Sequence, residues 1–402
     1  MIRRRTMLTT IPVLAFGRQA RAQATTIRIG SLQDVSGPFA YNNGSGSIAC
    51  AQQAIEEIGE ASGLRVELLQ ADHQNKPDIG LSIAREWLDS GVDALLGFDN
   101  SAVALAINGL VRDRDRVMLA TNVLAASLSG ASCTPNETHW TSDTVMLARV
   151  LGAALTAKGL DTWYFIRSDY VFGRELKEDT RKVVESRGGR ILGESAVPLG
   201  TTDYSSALLA AQASGAKVIA LGLSGYDLSN CLKQAFEFGV AKGGQAVAAM
   251  IIHEQDIHAL GMQIMQGLAL TGTYYWNFSD RTRAFAKRIT PRTNGTPPNA
   301  TQANAYAAVR HYLRAVQVLG PSEAKSGRAV VARMKQMPID DEVLTHASIR
   351  LDGRVVSDVH LLQVKAPSES ASEWDLCKAT ATFGPDEAWR PMSEGGCPLA
   401  RG

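Results

Sequence analysis

Three runs in the chain have residue types suited to catalysis, and none completes its pattern. His253-Glu254-Gln255-Asp256-Ile257-His258 sets two imidazoles around a carboxylate, the composition of a zinc-hydrolase helix. That chemistry needs the histidines four apart on one helix face, and here the second is displaced by one residue. Gly222-Leu223-Ser224-Gly225-Tyr226 would raise a nucleophilic serine on a strand-to-helix turn, but Tyr226 replaces the closing glycine. Gly44-Ser45-Gly46 has neither the third glycine nor the lysine that a phosphate cradle requires. The five cysteines are widely spaced with no C-x-x-C pair, which argues against a zinc or redox site. No enzyme, metal or cofactor is expected. One disulfide is expected, joining Cys133 to Cys397 because both lie in loop-like, proline-flanked contexts, with Cys377–Cys397 as the alternative pairing. Cys50 and Cys231 fall among apolar helical positions and read as buried thiols.

The elements around these runs alternate between short apolar strands and amphipathic helices. Strands are predicted at Ile27–Gly30, Arg65–Gln70, Val92–Gly97 and Val117–Thr121, separated by helices over 47–59, 78–90 and 103–113. The series begins again after a helix over 143–158. Strands then follow at 163–167, 190–197, 217–222 and 245–252, with helices over 174–187, 205–214 and 228–238 between them. Strand, helix, strand at this spacing gives right-handed crossovers and parallel sheets. The fold class is therefore α/β with two Rossmann-like lobes joined by a multi-crossing hinge. The last third supplies helices over 281–290, 302–319 and 327–337. Strands then run over 348–351, 354–365 and 374–381, with Asp352-Gly353 read as a type I′ hairpin turn. The expected division is residues 26–142 plus about 274–346 in one lobe and 143–273 plus about 347–385 in the other. Residues 386–402 form a tail near the hinge. In such a fold ligands enter at the carboxyl ends of the strands, between the lobes.

At the amino terminus, Arg3-Arg4-Arg5 precedes an apolar run over 7–16 and then Ala20-Arg21-Ala22, the order of an export signal cleaved after Ala22. The run is too short to span a bilayer core, which needs about 20 residues. Arg4-Arg5-Thr6-Met7-Leu8 fits a twin-arginine route, and an ordinary Sec signal is the alternative. Removing residues 1–22 takes away five arginines and no acids, so 41 basic against 40 acidic residues become 36 against 40. A mildly acidic chain without basic blocks has no footprint for nucleic acid. With 45% hydrophobic and 20% charged residues it reads as well packed, and the expectation is a monomer free in the periplasm.

Several local motifs, taken together and in order, carry a family resemblance. Ile27-Arg28-Ile29-Gly30 with Ser36-Gly37-Pro38 opens the series, followed by Asn100-Ser101-Ala102-Val103, His139-Trp140-Thr141 and Asp169-Tyr170-Val171-Phe172-Gly173. Asp203-Tyr204-Ser205, Lys233 to Gly239 and the hairpin Ile349 to Val356 complete it. The chain resembles type I periplasmic solute-binding proteins of the leucine/isoleucine/valine-binding family. This implies a small-molecule receptor that closes on its ligand and delivers it to the membrane subunits of an ABC permease. A sensor for a membrane signalling partner is the alternative on the same scaffold.

The resemblance implies ligand contacts at strand ends and helix starts. Tyr41 and Asn42 precede the first helix, and Asn100 and Ser101 precede another, where unpaired N–H groups receive acceptors. Tyr170 and Phe172 follow a second-lobe strand, Ser224 and Tyr226 follow the next, and Glu254 follows a third. Tyr275 belongs to the cluster Tyr274-Tyr275-Trp276 near a crossing. Amino-acid receptors of the family carry small hydroxyl residues after the strand that ends at Thr121. Here that segment is Asn122-Val123-Leu124-Ala125-Ala126, with Asn122 its one polar side chain. An amino acid, an aromatic acid or a short-chain carboxylate all remain open as ligand.

Overall fold

The computed structural model describes residues 26–62, 64–339 and 341–400. The export signal read at residues 1–22 lies outside them. Among the described residues no helix is long and apolar enough to cross a membrane.

The first lobe is built on a five-stranded parallel sheet, order β2-β1-β3-β4-β5. Its strands are β1 (Thr26–Gln33), β2 (Arg65–Asp72), β3 (Ala94–Gly97), β4 (Val117–Ala120) and β5 (Glu137–His139). The runs Ala94-Leu95-Leu96-Gly97 and Val117-Met118-Leu119-Ala120 are buried throughout, as central parallel strands covered on both faces must be. Helices α1 (Gly44–Ser62), α2 (Pro77–Asp89) and α3 (Ser101–Asp113) make the crossovers.

The second lobe repeats the plan with four parallel strands, order β7-β6-β8-β9. These are β6 (Thr162–Ser168), β7 (Arg190–Val197), β8 (Val218–Gly222) and β9 (Ala246–Ala249). The segment expected as one helix over 143–158 contains a π-helical turn, Ala148–Gly152, between α-helical Thr144–Leu147 and Ala153–Ala157; we call the whole α4. Then come α5 (Val171–Glu185), α6 (Ser205–Ala213), α7 (Gly225–Glu237) and α8 (Glu254–Leu260). An antiparallel sheet of β10 (Ala269–Gly272), β13 (Val359–Val364) and β14 (Cys377–Phe383) packs on this lobe.

Among the described residues the chain passes between the lobes three times, and core membership marks each crossing. Trp140 belongs to the first-lobe core and Met146 to the second. Leu270 sits in the second-lobe core and Tyr274 in the first, which also holds α9 (Asp280–Ile289) and α10 (Ala300–Glu323). The hairpin of β11 (Ser348–Ile349) and β12 (Val355–Val356) makes the third: Ile349 and Val355 lie in the first-lobe core, Val356 in the second. The change of lobe thus falls between Val355 and Val356, at the end of the hairpin, where the sequence suggested about 347. The hairpin turn also differs from type I′. Only Gly353 has positive φ, Gly353 N–H bonds to Arg350 C=O, and Arg350 N–H bonds to Arg354 C=O. This is a type I turn closed by a left-handed glycine.

Arg354 ties two crossings together. Its guanidinium donates to Thr141 C=O at 2.9 and 2.6 Å, to His139 C=O at 2.9 Å and to the Asp143 carboxylate at 3.0 Å. It lies 4.8 Å over the Trp389 ring, and burial lowers its pKa to about 10. Arg354→Met leaves Asp143 buried without its cation and is expected to cost about 3–5 kcal/mol, read by urea unfolding. A cost below 1 kcal/mol would show that the crossing is held elsewhere.

Cys133 and Cys397 are joined by a disulfide with Cα atoms 5.6 Å apart, anchoring the tail to the loop before β5 across 264 residues of sequence. Cys50, Cys231 and Cys377 are buried free thiols. Replacing both bridged cysteines by serine is expected to lower stability by about 2–5 kcal/mol, with the same loss in the wild type under reductant.

Candidate functional site

The carboxyl ends of both parallel sheets face one interlobe seam, and the loop after β1 shapes its first-lobe side. Asp34 accepts Gly37 N–H and Phe39 N–H, each at 2.8 Å, and Asn75 Nδ2 at 2.6 Å. This turn delivers Pro38, Tyr41 and Asn42 to the second lobe. Asn42 is buried, and its Nδ2 donates across the seam to both Asp256 oxygens at 3.0 and 3.1 Å. The Asn42 carbonyl accepts Asn299 Nδ2 at 2.7 Å and Gln302 Nε2 at 2.9 Å, both from the start of α10. Asn299 Nδ2 also donates to Gln255 Oε1 of α8 at 2.9 Å. Amides from both lobes therefore form one network. Beside it, Tyr226 N–H donates to Pro38 C=O at 3.1 Å.

The second-lobe wall is the first turn of α8. Asp256 accepts His253 N–H at 2.9 Å and Ser229 Oγ at 3.4 Å. All of these donors are neutral, and burial raises its pKa to about 6. Glu254 is 5% exposed; burial, then the neighbouring Asp256 charge, raise its pKa to about 7. It borders an enclosed cavity of about 10 Å³ with Thr141, Ser142, Thr271, Tyr274 and Thr301, the room one water-sized polar group occupies. Toward solvent, Tyr41 and Tyr226 flank an open vestibule of about 450 Å³ that also touches Gln255 and Gln302.

The structure thus brings Tyr41, Asn42 and Tyr226 together beside Asp256, with Glu254 on the hinge side of the same helical turn. Asn100, Ser101 and Asn122 form an adjoining layer behind the first-lobe loop. Asn100 caps α3 through Ala102 N–H at 2.8 Å, and Ser101 Oγ accepts Ala125 N–H at 3.2 Å. Asn122 Nδ2 reaches Asp99 Oδ1 at 2.7 Å, Gln33 Oε1 at 3.1 Å and Ser47 Oγ at 3.4 Å. Burial raises the pKa of Asp99 to about 7.

Other expected contacts have different surroundings. Ser224 starts α7 without a side-chain cap bond, and half-buried Tyr170 starts α5 with its ring 5.9 Å from Phe172. Phe172 is fully buried with Trp163 and Leu176, so it is a core residue of the second lobe. Tyr275 is also a packing residue: its hydroxyl donates to Cys377 C=O at 3.1 Å and accepts Cys377 N–H at 3.2 Å. Reading the sequence missed Asp34, Gln255, Asn299 and Gln302. For Asn299 a usable signal existed, since Asn-x-x-Gln is a capping pattern, and the structure shows that box at the start of α10.

A family model described as periplasmic binding protein matches residues 26–371. The chain belongs to that family, and with two open parallel lobes it is a type I periplasmic binding protein of the ABC-transporter class. It is similar to a periplasmic binding protein from Burkholderia mallei, with 38% identity, a TM-score of 0.89 and coverage of 93% of this chain and 99% of the other. It is also similar to a branched chain amino acid ABC transporter periplasmic ligand-binding protein from Burkholderia xenovorans LB400, with 37% identity, a TM-score of 0.82 and coverage of 93% and 100%. Among curated relatives, Leu/Ile/Val-binding protein homolog 6 of Brucella abortus (strain 2308) is 24% identical over 259 residues. That match spans 63% of this chain and 66% of the relative, just under two thirds of its length.

Proposed function

We propose that the protein captures a small organic solute in the interlobe seam and delivers it to the membrane subunits of an ABC permease. The observation that carries this reading is the chemistry of the seam. Among the described residues, Asn42 Oδ1 and, in the adjoining layer, Asn122 Oδ1 are buried acceptors without a hydrogen-bond partner, and Glu254 is a buried carboxyl of the second-lobe wall. Buried polar atoms are rarely left unpaired, and an unpaired one costs about 1–3 kcal/mol. A solute that presents N–H or O–H donors removes that cost, and amino acids, amides and hydroxy acids do so. The Burkholderia relative described for branched-chain amino acids supports the first of these.

A thermal-shift screen of the mature protein against amino acids, amides, aromatic and short-chain acids and alcohols tests the reading. A ligand that binds only the native state raises its stability, and Glu254→Gln should weaken the responding class at least tenfold. A screen in which no class responds contradicts the reading, and so does uptake of the bound solute that persists after gene deletion.

A further inference from the structure

A second pocket lies away from the seam, where the two lobes meet beside the hinge. It is an open groove of about 380 Å³ between α9 with the loop after it and the loop joining β13 to β14, a volume within the usual range for small-molecule sites. Its aromatic walls are Trp276 and Trp374, both half-buried. Each indole is fixed in place. Trp276 Nε1 donates to Trp374 C=O at 3.0 Å. One face of Trp374 is stacked on His258, with ring centres 4.2 Å apart and planes 10° from parallel, and His258 Nε2 is 2.9 Å from Glu373. A ligand stacking on these rings would lose little side-chain freedom in binding. Pro291, Pro297 and Ala286 add apolar lining.

The charges point to the ligand's other end. Arg283 and Lys287 stand one helical turn apart on α9 and both line the pocket. Like charges at this spacing repel. Arg283 is offset by Asp280 at 2.6 Å, whereas Lys287 is exposed and has no ion pair or hydrogen bond among the described residues. Glu373 also lines the pocket, but its carboxylate is engaged with His258. The cation left without a counter-charge is thus Lys287, beside two preset aromatic faces.

We propose that this pocket is a second small-molecule site and takes a planar aromatic carboxylate, its ring against the indoles and its carboxylate at Lys287. Since α9 carries first-lobe core residues Phe285 and Ile289 while Trp374 packs on the second-lobe core, an occupied pocket braces the lobes in the arrangement seen here.

The test is calorimetric titration of the mature protein with 2-naphthoate and with its neutral amide. The expected result is saturable 2-naphthoate binding that weakens at least tenfold with the amide, with Lys287→Glu and with Trp374→Leu, but not with Glu254→Gln. Lys287 is a surface residue, so its variant should keep the wild-type circular dichroism and Tm, and 2-naphthoate should raise Tm in the wild type but not in that variant. Absence of saturable binding overturns the proposal, as does binding that ignores both pocket variants. Binding that falls with Glu254→Gln instead overturns the second site and assigns the acid to the interlobe seam, leaving the transport reading intact.

Discussion

Gly225→Ala is expected to weaken ligand binding on the order of 100-fold while both lobes remain folded, a change of about 2.7 kcal/mol in binding free energy. A Cβ at this position would lie 2.2 Å from the Pro38 carbonyl oxygen and 3.1 Å from the Phe39 ring, both contributed by the opposite lobe. The nearest atom is backbone, held by the Asp34 turn, so it cannot swing aside as a long side chain would. Gly225 also has φ +60°, where an L-residue costs roughly 1–2 kcal/mol. That strain is local to the start of α7, but the clash exists only when the lobes meet. The variant should therefore fold with a modest loss of Tm and bind with a much faster off-rate. Titration calorimetry with the solute found in the screen decides it: an affinity within threefold of wild type would mean that closure does not pass through this contact.

Glu254→Gln is expected to leave the stability of the closed form nearly unchanged at pH 5 and to raise it at pH 8, by up to about 3 kcal/mol. The acid ionises near pH 4.5 when unfolded and near pH 7 in the native protein. Between these values the native state binds the extra proton, so the Glu254 contribution is fully present below about pH 4.5 and is lost as pH rises through 7. Each pKa unit is worth about 1.4 kcal/mol, which sets the ceiling. Asp256 and Asp99 act in the same direction. Buried histidines oppose them: burial lowers the pKa of His253 to about 4, and those of His73, His139, His311 and His360 also fall. Each of these favours the native state as pH rises toward 6.5. The informative quantity is therefore the stability difference between variant and wild type, followed from pH 5 to pH 8 by urea unfolding. A difference that stays flat or shrinks would show that Glu254 is solvated in the ligand-free protein.

The fold was legible where apolar periodicity carried it. Arg190–Val197 has its predicted bounds, and the doubled strand and helix series gives the two parallel sheets. What escaped has specific causes. Strand β5 is Glu137-Thr138-His139, polar in composition yet fully buried, so no hydrophobic signal marks it. Burial pushes the pKa of Glu137 well above the usual range, and burial with the Arg354 charge pushes that of His139 well below its own. Helix α8 has no counterpart among the predicted elements because its start, His253-Glu254-Gln255-Asp256, is polar in composition yet buried at the hinge and against the other lobe.

The seam shows the same division. Asn42, Tyr226 and Glu254 could be placed at the lobe boundary from sequence because they lie at or just before helix starts on the expected face. Phe172 and Tyr275 were misassigned because an aromatic at such a position serves packing equally well, and only coordinates show that Phe172 meets Trp163 and that the Tyr275 hydroxyl meets Cys377. Asn299 and Gln302 lie more than 250 residues from Asn42, a pairing that local sequence pattern does not contain.

Small-angle X-ray scattering of residues 23–402, with and without saturating solute, tests the clamshell most directly. The lobes share a mobile seam in this account, so the solute should reduce the radius of gyration to the value calculated from the structure, and Gly225→Ala should keep the larger, ligand-free value. An unchanged radius in the wild type at saturation would contradict closure as the means of capture.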